Sequence, residues 1–280
     1  MKKQQILLVC GGFLLFILLF FFGNTIPPVK PATVAANTPH AEKKIETEKL
    51  LTHAKERLTP QQLEKVTSLE NSVKRGDVKN QQLQVYKTLA SFWEDSVRLF
   101  EPYAYYTAEA AKLENSEKSL TFAAHLFLTN LKTESDPPMQ NWLATNAKVL
   151  FQKALEINPK NDSSKVGLGA CYIFGNISDN PMEGISLIRE VVQRDPNNLF
   201  GHLILGLGGV RSAQFDKAIE HFKVVVDRQP DNLEATLNLA ETYDQKGDKE
   251  DAIKWYKVVK AKIPNPEAQK ELDTRIKALQ

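Results

Sequence analysis

Five histidines are the side chains of this sequence best suited to metal or acid–base chemistry: His40, His53, His125, His202 and His221. A zinc hydrolase places two histidines four residues apart on one helix face with a glutamate beside the first, because both rings must then reach one ion. No H-E-x-x-H pattern occurs, and no other pair of histidines has a spacing that would place two ligands on one helix face. We therefore predict packing or surface roles for these rings and no metal site.

A glycine-rich stretch, GLGG at 206–209, is a second candidate for chemistry, in this case phosphate binding. A phosphate loop needs a preceding strand and a following Lys-Ser/Thr pair, and both are missing here. The stretch lies in a helical pattern instead, where glycine lets two helices approach closely. Cys10 and Cys171 lie in separate helical segments and cannot pair with each other. The sequence thus predicts no catalytic residue and no cofactor, and we expect the protein not to be an enzyme.

The elements around these residues are amphipathic helices, and the clearest pair spans 238–264. Apolar residues return at three-and-four spacing before and after a break, which places them on one face of each of two helices. The break is KGD, where Gly247 can take the left-handed C-cap conformation and Asp248 can cap the next helix. Pro264 closes the second helix. The residues of the two faces are Leu239, Ala240 and Tyr243, then Ala252, Tyr256 and Val259.

The same pattern recurs upstream, as it must if so short a hairpin is to bury its apolar face on neighbours. The preceding unit repeats it with a period of 34 residues, at Leu205, Gly206, Ala218, Phe222, Val225 and Pro230. The unit before that carries Leu168, Gly169, Tyr172, Gly184, Ile188, Val191 and Pro196, with three extra residues in its turn. Further upstream, Ala147, Phe151, Ala154 and Pro159 match the second helix alone.

These positions resemble the signature of the tetratricopeptide repeat (TPR) family, W-x2-L-G-x2-Y, then A-x3-F, then P. The departures are Lys165, His202 and Thr236 at the tryptophan position and Gly209 at one tyrosine position. The resemblance implies an all-α fold, a right-handed α-solenoid of helical hairpins. We expect three repeats at 160–264, divergent repeat-like helices at 78–159 and a C-terminal capping helix at 265–280.

The resemblance also implies a ligand groove, because first-helix residues line the concave surface in this family. Carried onto this chain, the partner-binding positions are Val166, Ala170, Ile173, Phe174, Phe200, Leu203, Leu207, Val210, Arg211, Glu241 and Asp244. Such a groove runs from apolar to acidic and would suit an amphipathic helix or an extended apolar segment with a basic end. The open alternative is that Val166, Leu203 and Leu207 are covered by adjacent helices or by the N-terminal segment of the chain.

The N-terminus carries seventeen uninterrupted apolar or glycine residues, ILLVCGGFLLFILLFFF at 6–22. With Gly23 to Ile26 this run is long enough to span a bilayer, so we predict a cytoplasmic start at 1–5 and a transmembrane helix at 6–26. Lys2 and Lys3 precede the run, which by the positive-inside rule places the repeats outside the cytoplasm, in the periplasm or cell exterior. A cleaved signal peptide, cut near TVAAN at 33–37, is the alternative.

A linker and two further helices separate the predicted anchor from the repeats. Residues 27–41 are rich in Pro, Ala and Thr, which favours an extended spacer. Residues 42–77 carry two helical patterns, near 41–57 and 60–75, which we interpret as a hairpin or short coiled coil. The three tyrosines at 103, 105 and 106 either fill helix joints or form a sticky surface, and packing is the favoured interpretation.

The charge balance restricts the class of partner. The formal charge of +2 comes wholly from Lys2 and Lys3, and the remainder is neutral, so a nucleic-acid surface is not expected. Two function classes remain: a membrane-anchored scaffold or adaptor that binds a protein or peptide on the non-cytoplasmic side, and a self-associating structural protein of the cell envelope. A homo-oligomer is possible under both, and we favour a bacterial envelope protein.

Overall fold

Helices follow one another throughout the part of the chain that the computed structural model describes, residues 45–75, 78–178 and 180–280. These residues belong to one unit, Lys43–Gln280. In chain order the helices are α1 (Thr47–Lys55), α2 (Pro60–Arg75), α3 (Lys79–Ser91), a π-helical turn (Phe92–Val97), α4 (Phe100–Glu114), α5 (Glu117–Leu131), α6 (Pro137–Ile157), α7 (Asp162–Phe174), α8 (Met182–Arg194), α9 (Leu199–Arg211), α10 (Phe215–Arg228), α11 (Leu233–Lys246), α12 (Lys249–Lys262) and α13 (Pro266–Leu279).

Consecutive helices pack as hairpins, and each hairpin packs on the next. The pairs are α3–α4, α5–α6, α7–α8, α9–α10 and α11–α12. The second helix of each pair contacts the first helix of the following pair, and the first helices α5, α7, α9 and α11 also contact one another in succession. The predicted all-α solenoid of helical hairpins is therefore confirmed.

The repeat positions form the joints of this array. Ala240, Ala252, Tyr256 and Val259 are completely buried, and Tyr243 is nearly so. Small residues at the crossing points allow the two helices of a hairpin to approach, and the aromatic rings fill the space between hairpins. The pattern read from 238–264 is thus a packing pattern and not a chemical one.

Helix ends are fixed by a recurring asparagine that the sequence analysis missed. Asn161, Asn198 and Asn232 each precede a first helix and accept a hydrogen bond from the backbone N–H three residues on, at 2.8, 2.8 and 2.9 Å. Such caps satisfy one of the free N–H groups of a helix start. Gly247 takes the predicted left-handed conformation, with φ of 86°. Asp248 stands at the N-cap of α12, but its side chain makes no capping bond, contrary to expectation.

The helices predicted at 42–77 pack on their successors. Helix α2 contacts α3, and α1 contacts α4. The predicted domain boundary at residue 77 therefore lies between two helices that pack against each other. Lys55 of α1 joins Glu70 of α2 at 2.6 Å. Thr59 caps α2 reciprocally, since its hydroxyl accepts from Gln62 N–H at 3.3 Å and its own N–H donates to the Gln62 side chain at 2.9 Å.

A π-helical turn extends α3 and changes the register that follows. Leu89, Ala90 and Trp93 are buried, as the first-helix pattern predicts. Beyond them, Leu99 N–H donates to Trp93 O at 3.1 Å and Arg98 adopts a left-handed conformation with φ of 59°. The wider turn inserts an extra residue into the helix, a device that a period-based reading cannot detect.

No helix in the described ranges is long and apolar enough to cross a membrane. The predicted transmembrane segment at 6–26 and the linker at 27–41 lie outside those ranges.

Candidate functional site

The groove positions predicted on α7 are inside the core. Val166 and Ala170 are completely buried, and Ile173 and Phe174 are almost completely so. These side chains pack in the largest hydrophobic cluster, together with residues of α5, α6 and α9. Val166 and Ala170 therefore offer no surface to a ligand in this conformation, and Ile173 and Phe174 offer very little.

The covering groups come from helices α5 and α9, on either side of α7. The ring of His125 on α5 lies 5.4 Å from the ring of Phe200 on α9, centroid to centroid. His125 Nε2 is also 2.8 Å from Ser163 Oγ at the start of α7. Burial lowers the pKa of His125, and Lys132 adds to the shift, so both favour the neutral ring. The contact of His125 with Phe200 thus joins α5 and α9 beside the start of α7.

An ion pair closes the same face further along. Lys132, directly after α5, reaches Glu234 on α11 with an N–O distance of 2.7 Å. On α9 between them, Leu203 is buried, while Leu207 and Val210 keep part of their surface. Arg211 is exposed and donates to Phe174 O at 3.4 Å and to Asn176 Oδ1 at 3.3 Å. On this part of the first-helix face, Phe200, Leu207 and Val210 are thus each partly covered.

The acidic end of the predicted groove is also engaged within the chain. Glu241 pairs with Arg275 of α13 at 2.9 Å, and Asp244 accepts a hydrogen bond from the Tyr256 hydroxyl at 3.1 Å. The hydrogen bond to Glu241 raises the pKa of Arg275. A basic ligand would have to displace Arg275 to reach this carboxylate, so the predicted acidic end is not a free site.

An open groove lies instead between α3 and α5, first helices that are not closely packed in the described structure. It has a volume of about 420 Å³, and helix α4 forms its floor. We call it the α3–α5 groove, and it is lined by Lys87, Ala90, Ser91, Glu94, Tyr103, Thr107, Ala110, Ala111, Glu114, Ser119 and Phe122. Its size is within the range of sites that bind small molecules or peptide side chains.

Two groups in the α3–α5 groove are left without partners. Phe122 is 56% exposed, the largest such value among the large apolar side chains of the described residues. Thr107 Oγ1 is buried and has no hydrogen-bond partner in the described structure. A buried hydroxyl without a partner costs free energy. Because this oxygen has no exposed surface, the feature of the groove that a partner can contact is Phe122.

The rim of the groove carries both signs of charge. Lys87 of α3 joins Glu114 of α4 at 2.9 Å, and this contact lowers the pKa of Glu114. The π-helical turn places Glu94 opposite, beside Tyr103, whose pKa is raised by burial first and by Glu94 second. A mixed rim gives little net attraction for either charge, so selectivity must come from apolar contact and hydrogen bonding.

Sequence reasoning missed this groove, although one signal was available. Leu120, Ala124 and Phe127 define the buried face of α5, and Phe122 falls outside that face. An aromatic residue away from the packing face is a surface feature that needs an explanation. Tyr103 lines the groove, whereas Tyr105 and Tyr106 lie on the other side of α4, so the three tyrosines serve different places.

The remaining candidates for chemistry are placed in helix joints. Burial raises the pKa of the Cys171 thiol, which is a core residue. His202 and His221 meet, with their Nδ1 atoms 3.0 Å apart, a contact between α9 and α10 that the sequence could not show. Across residues 45–75, 78–178 and 180–280, no three His, Cys, Asp or Glu side chains come together to hold a metal ion.

The chain is an array of helical hairpins, and the α3–α5 groove between two of its first helices is large enough for a ligand. Residues 210–276 match a family model described as tetratricopeptide repeat. Together with the 34-residue period and the confirmed hairpin packing, this match identifies residues 210–276 as tetratricopeptide repeats.

Solved structures of several repeat proteins are similar to this chain. A TPR protein of Thermus thermophilus is 16% identical, with a TM-score of 0.51 over 72% of this chain and 98% of that one. MamA of Desulfovibrio magneticus is 21% identical, with a TM-score of 0.44 over 67% and 96%. PilW, described as a type IV pilus biogenesis factor, is 17% identical, with a TM-score of 0.49 over 71% and 93%. At these identities the likeness concerns the fold alone.

Proposed function

We propose that the protein is a membrane-anchored, non-catalytic adaptor whose α3–α5 groove binds a segment of a partner protein on the non-cytoplasmic side. The observation that carries this proposal is the exposed ring of Phe122 in an open groove of ligand size. Further along the array the corresponding face is filled by the protein's own side chains. These observations support a binding surface at the opening between α3 and α5.

The lining favours an extended segment over a helix. An extended chain carries free backbone N–H and C=O groups, either of which can pair with the exposed Ser91 hydroxyl of the lining, whereas the backbone groups of a helix are already bonded. The small side chains of Ala110 and Ala111 allow a backbone to approach the floor. An apolar side chain of the partner then packs on Phe122. We expect a partner segment with a large apolar residue at its centre and no strong net charge.

The membrane anchor rests on the sequence alone. The apolar run at 6–22 and the two lysines before it support a helix that enters the membrane with the repeats outside the cytoplasm. A linker rich in proline then holds the repeats away from the bilayer. This arrangement would present the groove to envelope or extracellular partners.

Substitution of Phe122 tests the binding surface. Phe122→Ser in the full-length protein removes an apolar contact of about 1.5–3 kcal/mol, so affinity for the partner should fall at least tenfold. Val149→Ser is the matched control, because Val149 is also an exposed apolar residue but lies on α6, outside the groove.

The measurement is quantitative recovery of co-purifying proteins, with circular dichroism to establish folding. Retention of all partners by a folded Phe122→Ser protein would refute the groove. Recovery of a second copy of this chain, lost with the same substitution, would instead favour the self-associating alternative.

A further inference from the structure

A second cavity lies on the opposite side of α4, among the first four helices. Its volume is about 420 Å³, and it shares no lining residue with the α3–α5 groove. Three tyrosines and two glutamates dominate its wall: Tyr86, Tyr105, Tyr106, Glu48 and Glu70. The other lining residues are Leu51, Thr52, Lys55, Val73 and Leu89. We call it the tyrosine cavity.

The tyrosine rings form adjoining walls. Tyr105 and Tyr106 are 5.1 Å apart between ring centroids and inclined at 69°, and Tyr86 lies 6.2 Å from Tyr106 at 30°. Rings set at a steep angle present faces and edges around one space, and the face of a tyrosine ring attracts a cation. In the described structure the Tyr86 and Tyr105 hydroxyls have no hydrogen-bond partner.

The charges of the tyrosine cavity leave one carboxylate free. Glu70 is committed to Lys55, at 2.6 Å, and to the hydroxyl of buried Tyr106, which donates to it. Glu48 has no ion pair or side-chain hydrogen bond among the described residues, so the lining carries one uncompensated negative charge. The pKa of Tyr105 is raised to about 12, by burial first and then by surrounding groups that include Glu109, Glu70 and Glu48. Both observations indicate a negative potential beside neutral aromatic rings.

We propose that the tyrosine cavity binds an organic cation, a guanidinium or ammonium group on an apolar stem. The positive head lies at Glu48, and the stem packs on Tyr105 and the aliphatic floor. Cation–π attraction and the carboxylate then act on the same positive group. An anion is disfavoured, because the one lysine of the lining is already paired with Glu70. This site is independent of the proposed adaptor function and of Phe122.

Calorimetry on the full-length protein in non-ionic detergent tests the proposal with three probes. These are N-acetyl-arginine amide, an alanine-flanked arginine tripeptide, and the same tripeptide with citrulline, which has the shape of arginine without its charge. We expect saturable binding of both arginine probes and at least tenfold weaker binding of the citrulline probe. If the arginine tripeptide binds more tightly than N-acetyl-arginine amide, the natural ligand is a side chain of a peptide. If the two bind equally, it is a small free cation.

Three variants assign the binding to this cavity. Glu48→Gln should weaken the arginine probes about tenfold, and Tyr105→Leu should weaken them comparably, whereas Tyr105→Phe keeps the ring and should retain binding. Glu56→Gln, just after the same helix but outside the cavity, is the control and should bind as wild type. Phe122→Ser should also leave the affinity for the arginine probes unchanged. The proposal is overturned if no cationic probe binds at millimolar concentration, or if Glu48→Gln and Tyr105→Leu both bind as tightly as wild type.

Discussion

Helices α9 and α10 cross so closely that a methyl group at Gly206 would overlap the ring of Phe222. A Cβ built there lies 2.5 Å from the nearest ring carbon of Phe222, which is fully buried and cannot move aside. At Gly208, on the same helix, the nearest atom is 3.4 Å away, an ordinary contact. The GLGG stretch is thus a helix crossing, as its pattern predicted.

Two alanine substitutions on α9 should consequently have opposite effects. Gly206→Ala should destabilise the fold by about 1–3 kcal/mol through overpacking. Gly208→Ala should be neutral or stabilise it by up to about 1 kcal/mol, because alanine favours helix. Urea unfolding of both variants measures the difference. Equal destabilisation at both positions would contradict the crossing geometry.

The histidine joint between α9 and α10 predicts a pH dependence. The pKa of His221 is lowered to about 4 by burial first, then by His202 and Arg189. The unfolded chain therefore binds a proton near the usual value of about 6.5, before the folded chain does. Stability should fall as the pH drops from about 6.5 towards 4.

His221→Gln should flatten that part of the profile, whereas His53→Gln, at an exposed site on α1, serves as the control. Melting temperature measured at intervals between about pH 7 and pH 4 provides the comparison. A slope in the His221→Gln protein equal to that of wild type would exclude His221 as its source.

Among the elements, those with a regular period could be predicted from the sequence and the irregular ones could not. The spacing of Ala240, Tyr243 and Tyr256 predicts the buried helix faces, because helical geometry fixes which residues lie on the same face of a helix. The π-helical turn at Phe92–Val97 breaks the period, which is why the register of α3 to α5 escaped the pattern. The α3–α5 groove lies beside that turn, so the candidate site coincides with the part of the fold that the sequence left undefined.

Helix α13 supplies the prediction at the scale of one element. Its Leu272 and Ile276 are buried in the cluster that contains Tyr256, and Lys260 of α12 joins Asp273 at 2.6 Å. Deleting 266–280 should cost about 1.5–3 kcal/mol for each of the two apolar side chains and lower solubility by exposing α12.

Deletion of 277–280 alone keeps both residues and is the control. Unchanged melting and solubility in the longer deletion would mean that α13 does not stabilise the array.

At the scale of the whole molecule, the sequence does not indicate which part of the first-helix face is covered by the protein's own side chains and which part is open. The pairs that close it, His125 with Phe200 and Lys132 with Glu234, join helices two and three hairpins apart. Contacts over such separations depend on how tightly successive hairpins turn, which no local pattern specifies. Leu203 is buried by this packing, so substituting it would test stability and not binding.

The proposed topology makes a prediction of its own. If the run at 6–22 is an uncleaved anchor, protease added to bacterial spheroplasts should digest the repeats and leave a small membrane-bound fragment. Repeats protected until lysis would contradict the orientation. A mature protein beginning near residue 37 would contradict the anchor.

The central claim is that partners bind in the α3–α5 groove and not on the first-helix face of α7 to α11. Site-specific photo-crosslinking in living cells tests it most directly, with p-benzoyl-phenylalanine in place of Phe122, Leu207 or Val149 in turn. We predict a discrete adduct from position 122 and none from the other two. An adduct from position 207 with none from 122 would contradict the account and return the binding site to the groove first predicted from the repeats.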